Sequence, residues 1–182
     1  MNRLSTEKYQ KQLINAIKQF WATRKMQAQG QKKSDQGNRS SVTGGKQLDG
    51  FVELFVQVSK DLGVPMSCIY TKGNVLPGFF RPSKDWDFFI ITPKDQLIAV
   101  IEFKSQVGSF GNNFNNRIEE ALGSAIDLWT AFRENGFPQT QPPWLGYALL
   151  VEKTDKSTSE VRLQEGANQI VAPLDKFLRW ES

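Results

Sequence analysis

The sequence predicts an α/β fold: a central mixed β-sheet flanked by helices, with an extra helix at the amino-terminal end. Two apolar runs, Asp87-Phe88-Phe89-Ile90-Ile91-Thr92 and Leu97-Ile98-Ala99-Val100-Ile101-Glu102-Phe103-Lys104, flank the Pro-led polar turn Pro93-Lys94-Asp95-Gln96 and read as an antiparallel hairpin. A long helical pattern over residues 113–133 follows, and then a third apolar run over 144–151. From residue 48 the order is helix, strand, hairpin, helix, strand, which a sheet covered by helices satisfies.

The first helix spans residues 6–28. Tyr9, Leu13, Ala16, Ile17, Phe20 and Trp21 fall at helical spacing, with Ser5 and Thr6 available as caps before Glu7. It reads as a packing or dimer helix. Residues 29–46 form a polar, glycine-rich basic loop carrying Lys32, Lys33, Arg39 and Lys46, readable as a phosphate clamp or as a solvated tract. The second helix, 48–62, puts Phe51, Phe55, Val58 and Leu62 on a buried stripe opposite Asp49, Glu53, Gln57 and Lys60. A short strand is expected at 66–70, and Pro77-Gly78-Phe79-Phe80-Arg81-Pro82 reads as a rigid loop leading into the hairpin. In the third helix Phe114, Ile118, Ala121, Leu122, Ala125, Trp129 and Phe132 recur at three and four, and Gly136 with Pro138 ends it. Pro142-Pro143 precedes the last strand.

With 182 residues and 39% hydrophobic content the chain can bury one good core, so a single domain over 1–182 is expected, its central core at 48–152. No apolar stretch is long enough to span a bilayer and no leader is evident at Met1-Asn2-Arg3, so a cytoplasmic protein is expected. The chain contains no histidine, which removes Ser-His-Asp and Cys-His catalysis and His-ligated zinc, and its one cysteine, Cys68, reads as a buried inert thiol in a strand. Carboxylate and lysine chemistry remains. A net charge of +4 favours a polyanionic partner without establishing one.

The hairpin concentrates that chemistry. Side chains alternate along a strand, so Glu102 and Lys104 share a face, and antiparallel pairing carries Asp87 back beside Glu102. Both runs are continuously apolar, as in strands covered on both faces, so these charges sit at the rim of a core. Two carboxylates and an ammonium can hold Mg²⁺ against a phosphodiester and activate water beside it. Glu-x-Lys at a strand end is also a common surface ion pair. Glu53 belongs either to a solvated face or to the cleft, as a third carboxylate. Asn112, Asn113, Asn115, Asn116 and Arg117 can present amides and a guanidinium to phosphates or base edges, or can serve as turns and caps.

Asp87, Glu102-Phe103-Lys104 and the helix after that strand resemble the PD-(D/E)XK nuclease superfamily. Within it, Leu76-Pro77-Gly78-Phe79-Phe80-Arg81-Pro82, Trp86-Asp87, Ile101-Glu102-Phe103-Lys104-Ser105-Gln106-Val107-Gly108, Ser109-Phe110-Gly111-Asn112-Asn113-Phe114-Asn115-Asn116-Arg117 and Pro143-Trp144-Leu145-Gly146-Tyr147 resemble the XhoI family of type II restriction endonucleases, over roughly residues 48–163. Trp86 stands where the superfamily's proline would. Members of the family continue beyond this length, and residues 161–182 form a divergent carboxy-terminal segment, so a truncated member is expected.

The resemblance implies a restriction-endonuclease-like αβββαβ core and hydrolysis of double-stranded DNA at CTCGAG with Mg²⁺. It implies Asp87, Glu102 and the Phe103 backbone carbonyl as metal ligands, with Lys104 acting on the attacking water and the developing charge. A palindrome is read most simply by a homodimer. A restriction enzyme also requires a cognate DNA methyltransferase as a functional partner. Two other readings stay open: a DNA-binding relative that does not cut, and a repair or recombination nuclease on the same core.

Overall fold

The computed structural model describes residues 6–31, 46–108, 110, 112–138 and 141–158. In chain order the elements are α1 (Thr6–Gln31), a 3₁₀ turn (Lys46–Leu48), α2 (Asp49–Asp61), a second 3₁₀ turn (Met66–Cys68), β1 (Ile69–Thr71), β2 (Val75–Pro77), β3 (Ser83–Asp85), β4 (Phe88–Ile91), β5 (Leu97–Gln106), α3 (Asn112–Arg133), β6 (Trp144–Val151) and α4 (Asp155–Thr158). The described residues up to Val151 belong to one compact unit and those from Glu152 to another.

Four strands form the main sheet in the order β1-β4-β5-β6, and β2 pairs with β3 as a separate ribbon. β4 runs antiparallel to both of its neighbours, β1 and β5, whereas β6 runs parallel to β5 after the α3 crossover. The sheet is therefore mixed and flanked by helices, as the sequence predicts. The hairpin turn closes with the Asp95 N–H donating to the Thr92 carbonyl at 2.9 Å and Asp95 itself at φ 58°, in the left-handed region that Asp tolerates better than most residues.

The continuous apolar character of β4 and β5 has its reason in two cores. Phe88, Ile101 and Phe103 pack on one face of the sheet with Ala16 and Phe20 of α1 and Phe51 and Val52 of α2. Phe89, Val100 and Leu97 pack on the other face with Leu128 and Ala131 of α3 and with Leu76 and Trp86 around the β2–β3 ribbon. Successive residues thus serve alternate cores.

Several local expectations are corrected. α1 continues to Gln31, so the basic loop expected from residue 29 begins as helix. Residues 66–68 are a 3₁₀ turn and not strand: Pro65 leads in at φ −61°, and the Cys68 N–H donates back to its carbonyl at 2.9 Å. Cys68 is buried in that turn. On α2 the buried positions are Gly50, Phe51, Val52 and Ser59, while Leu62 is 61% exposed. On α3 the core side is Ser124, Asp127, Leu128 and Ala131, and Ile118 and Leu122 from the expected stripe face solvent. The ribbon β2–β3 stands where only a loop was expected.

In the second unit, α4 opens on a reciprocal cap: the Ser157 N–H donates to Thr154 Oγ1 at 3.2 Å, and the Thr154 N–H donates to Ser157 Oγ at 2.8 Å. The divergent segment of residues 161–182 lies outside the described residues.

Candidate active site

β4 and β5 bring the predicted trio together. Phe88 pairs with Ile101, so Asp87, one residue before β4, arrives opposite Glu102. Its Oδ2 accepts the Phe103 backbone N–H at 2.8 Å, which fixes the carboxylate against β5. Lys104 Nζ lies 2.6 Å from Glu102 Oε1, as two side chains of one strand face must to meet. Beyond Lys104 the strand ends at Gln106, whose Nε2 donates to the Gly108 carbonyl at 2.6 Å across a turn that Gly108 makes at φ 66°.

A fourth charged group joins them that no motif announced. Lys84 sits in the polar stretch Ser83-Lys84-Asp85, which reads as loop, and only the pairing of β3 with β2 aims it inward. Its Nζ donates to Glu102 Oε2 at 3.1 Å and lies 4.5 Å from the centre of the Trp86 ring. Glu102 is 4% exposed, and an ammonium group meets each of its oxygens. The signal that could have found Lys84 is the alternation Lys84, Trp86 leading into Asp87.

Burial pushes the Asp87 carboxyl above the usual carboxylate range. The Phe103 N–H pulls it the other way, the charge of Glu102 raises it again, and Lys72 and Lys104 offset part of the rise. On β6, Tyr147 pairs with Glu102, and its hydroxyl donates to the Arg117 carbonyl at 3.2 Å. Burial first, then the charges of Glu120 and Glu102 against that of Arg117, pushes this phenol up to about 12. Tyr147 thereby links the first turns of α3 to the carboxylate strand.

The other expected residues fall as follows. Asn115 and Asn116 are exposed on α3, beside Arg117, which is engaged with Glu120 at 2.7 Å; Asn112 and Asn113 form the start of the helix. Glu53 is exposed on α2, the helix packed on the sheet face opposite to that of Glu102 and Lys104. It lines a groove of about 520 Å³ with Asp49, Gln57, Thr71 and Lys72. Among the described residues no three Asp, Glu or Cys side chains gather into one cation site. Lys46 is exposed, while Lys32, Lys33 and Arg39 lie outside the described residues.

The donor set can be tested against a divalent cation. Asp87 and Glu102 are adjacent hard oxygen donors that repel one another, and Glu102 already draws two positive groups. The residues fit an oxygen-seeking ion such as Mg²⁺. They offer no sulfur or imidazole to a softer metal.

A mixed sheet with an Asp and a Glu-x-Lys converging on the rim of its central hairpin is the arrangement of a nuclease of the PD-(D/E)XK type. The sequence profile of the family described as restriction endonuclease XhoI matches residues 26–174, and the chain belongs to that family. It is 47% identical over 137 residues to the type II restriction enzyme BstVI of Geobacillus stearothermophilus, covering 72% of this chain and 61% of the relative. It is 43% identical to the type II restriction enzyme AbrI of Azospirillum brasilense, with 82% and 69% covered, and 42% identical to the type II restriction enzyme XhoI of Xanthomonas vasicola, with 80% and 60% covered. The chain thus spans 60–69% of the length of these curated relatives. No solved structure matches it. Among the described residues no helix is long and apolar enough to cross a membrane.

Proposed function

We propose that the chain is a single nuclease domain of a type II restriction endonuclease that hydrolyses double-stranded DNA at CTCGAG with Mg²⁺. It acts as a cytoplasmic homodimer whose host carries a cognate DNA methyltransferase. The observation that carries this reading is the convergence of Asp87, Glu102 and Lys104 in a chain of the XhoI family.

Asp87, Glu102 and the Phe103 backbone carbonyl would hold the Mg²⁺, which when bound supplies Lewis-acid polarisation of the phosphodiester and a more acidic water. Asp87 is held for this by the Phe103 N–H, and Glu102 by the two lysines. The Lys104 ammonium orients the attacking water and stabilises charge developing on the phosphoryl oxygens, where a preorganised donor is worth most. The Arg117 carbonyl meets Tyr147 of β6, the residue paired with Glu102, and Asn115, Asn116 and Arg117 beside it serve as DNA contacts. Asn112 and Asn113 extend that set, whereas Glu53 lines a separate groove on the other face of the sheet.

Plasmids with and without CTCGAG, incubated with the protein and either Mg²⁺ or EDTA, test the proposal. Discrete fragments are expected only from the plasmid that carries the site, and only with metal. Specific binding without cutting would favour a non-cleaving relative. Cleavage keyed to branched or damaged DNA would favour a repair nuclease.

A further inference from the structure

The loop between β2 and β3 is fastened more firmly than its surface position requires. Asp127 on α3 is 3% exposed, and its Oδ1 accepts the backbone N–H groups of Phe79 at 3.0 Å and Phe80 at 2.8 Å. Its Oδ2 lies 3.0 Å from Arg81 Nε. A buried carboxylate is tolerated only when its charge is met by such donors, so the contact is an investment in one loop conformation. Gly78 belongs to the same clasp: a Cβ there would lie 2.5 Å from Asp127 Oδ2.

What the clasp holds out is a pair of aromatic rings. Phe79 is 51% exposed and Phe80 69% exposed, and the rings meet edge to face, their centres 5.0 Å apart. Two large apolar side chains kept in water on a rigid loop mark a contact surface. The edge-to-face pairing lets Phe79 brace Phe80 while leaving the Phe80 ring free to present a face.

The position of the loop indicates the occupant. Phe80 is four residues before Lys84, a span of at most about 14 Å, and Lys84 grips Glu102. Duplex DNA rises about 3.4 Å per base pair, so the Cα span between Phe80 and Lys84 matches about four base-pair steps along a duplex seated on the site. Arg81 is exposed beside the rings, and although its Nε meets Asp127 Oδ2, a guanidinium carries further N–H donors with which to meet a phosphate. We propose that Phe80 is a wedge that presses on a base step of the duplex within about four base pairs of the scissile phosphate, with Phe79 as its brace and Arg81 on the adjoining phosphate. This rests on the reading of the site as a DNA nuclease.

The test uses CTCGAG duplexes, each with one 2-aminopurine within the site or within four base pairs of it, and Ca²⁺ in place of Mg²⁺ so that the DNA stays whole. The parent protein is expected to brighten the probe at one step per half-site as that base unstacks. Phe80→Ala should abolish the brightening and weaken binding roughly ten-fold, the scale of one lost aromatic stack on a base. Phe80→Trp, which keeps a flat apolar ring, should retain both. Unchanged brightening or affinity in Phe80→Ala overturns the wedge while leaving the nuclease reading intact. Sedimentation without DNA checks the rival occupant: a parent dimer that Phe80→Ala converts to monomer assigns the rings to a second copy and also overturns it. A parent protein that binds no CTCGAG duplex overturns both readings.

Discussion

Glu102 is almost wholly buried, yet it is a carboxylate beside a second carboxylate, and its position is tenable because Lys84 and Lys104 each meet one of its oxygens. The two lysines should therefore fail differently when removed. Lys104→Ala is expected to bind CTCGAG duplex as the parent does and to lose at least about a hundred-fold in single-turnover cleavage, because the contribution proposed for it belongs to the transition state. Lys84→Met leaves one oxygen of a buried carboxylate without its cation, so chemical denaturation should register a loss of about 1–3 kcal/mol. Asp87→Asn and Glu102→Gln are expected to abolish cutting in the plasmid assay. Asp87→Asn should melt at or above the parent temperature, since burial and Glu102 both disfavour the charge it removes while an acceptor for the Phe103 N–H is kept.

Among the elements, α1 and α2 are joined at the surface by Asp61, which accepts hydrogen bonds from Lys8, Tyr9 and Gln57. Those bonds, from Lys8 first, then Tyr9 and Gln57, lower its pKa from 3.8 to about 2. A carboxylate depressed in the folded state contributes stability above its unfolded pKa and loses it as pH falls through the folded one. The stability difference between the parent and Asp61→Asn should thus hold steady at neutral pH and shrink between about pH 4 and pH 2, as measured by denaturant melts across that range. Elements were legible in the sequence where one physical signal dominated. The β4–β5 hairpin follows from its continuous apolar runs and Pro-led turn. The faces of α2 and α3 were less legible: Ser59, Ser124 and Asp127 are buried for the hydrogen bonds or packing available to them, which a hydrophobic pattern does not register. The β2–β3 ribbon escaped notice because its strands are three residues each and β3 is entirely polar.

At the scale of the molecule, a positive net charge and the basic stretch at Lys32, Lys33, Arg39 and Lys46 bear on the strength of binding more than on its selectivity. Replacing all four with neutral residues should weaken specific and non-specific duplex binding alike and flatten the log-log salt dependence by about 0.9 per lost phosphate contact; a titration at several salt concentrations measures the slope. The trio Asp87, Glu102 and Lys104 was readable because strand periodicity alone puts two of them on one face and the turn returns the third. Lys84 was not, since its approach depends on a ribbon that joins the site only in three dimensions. The sheet order carries one more consequence. β5 lies between β4, made just before it, and β6, reached only after the whole of α3. During synthesis every charge of the trio leaves the ribosome well before Trp144 does, so the growing chain carries Asp87, Glu102 and Lys104 before the strand that closes the sheet beside them exists.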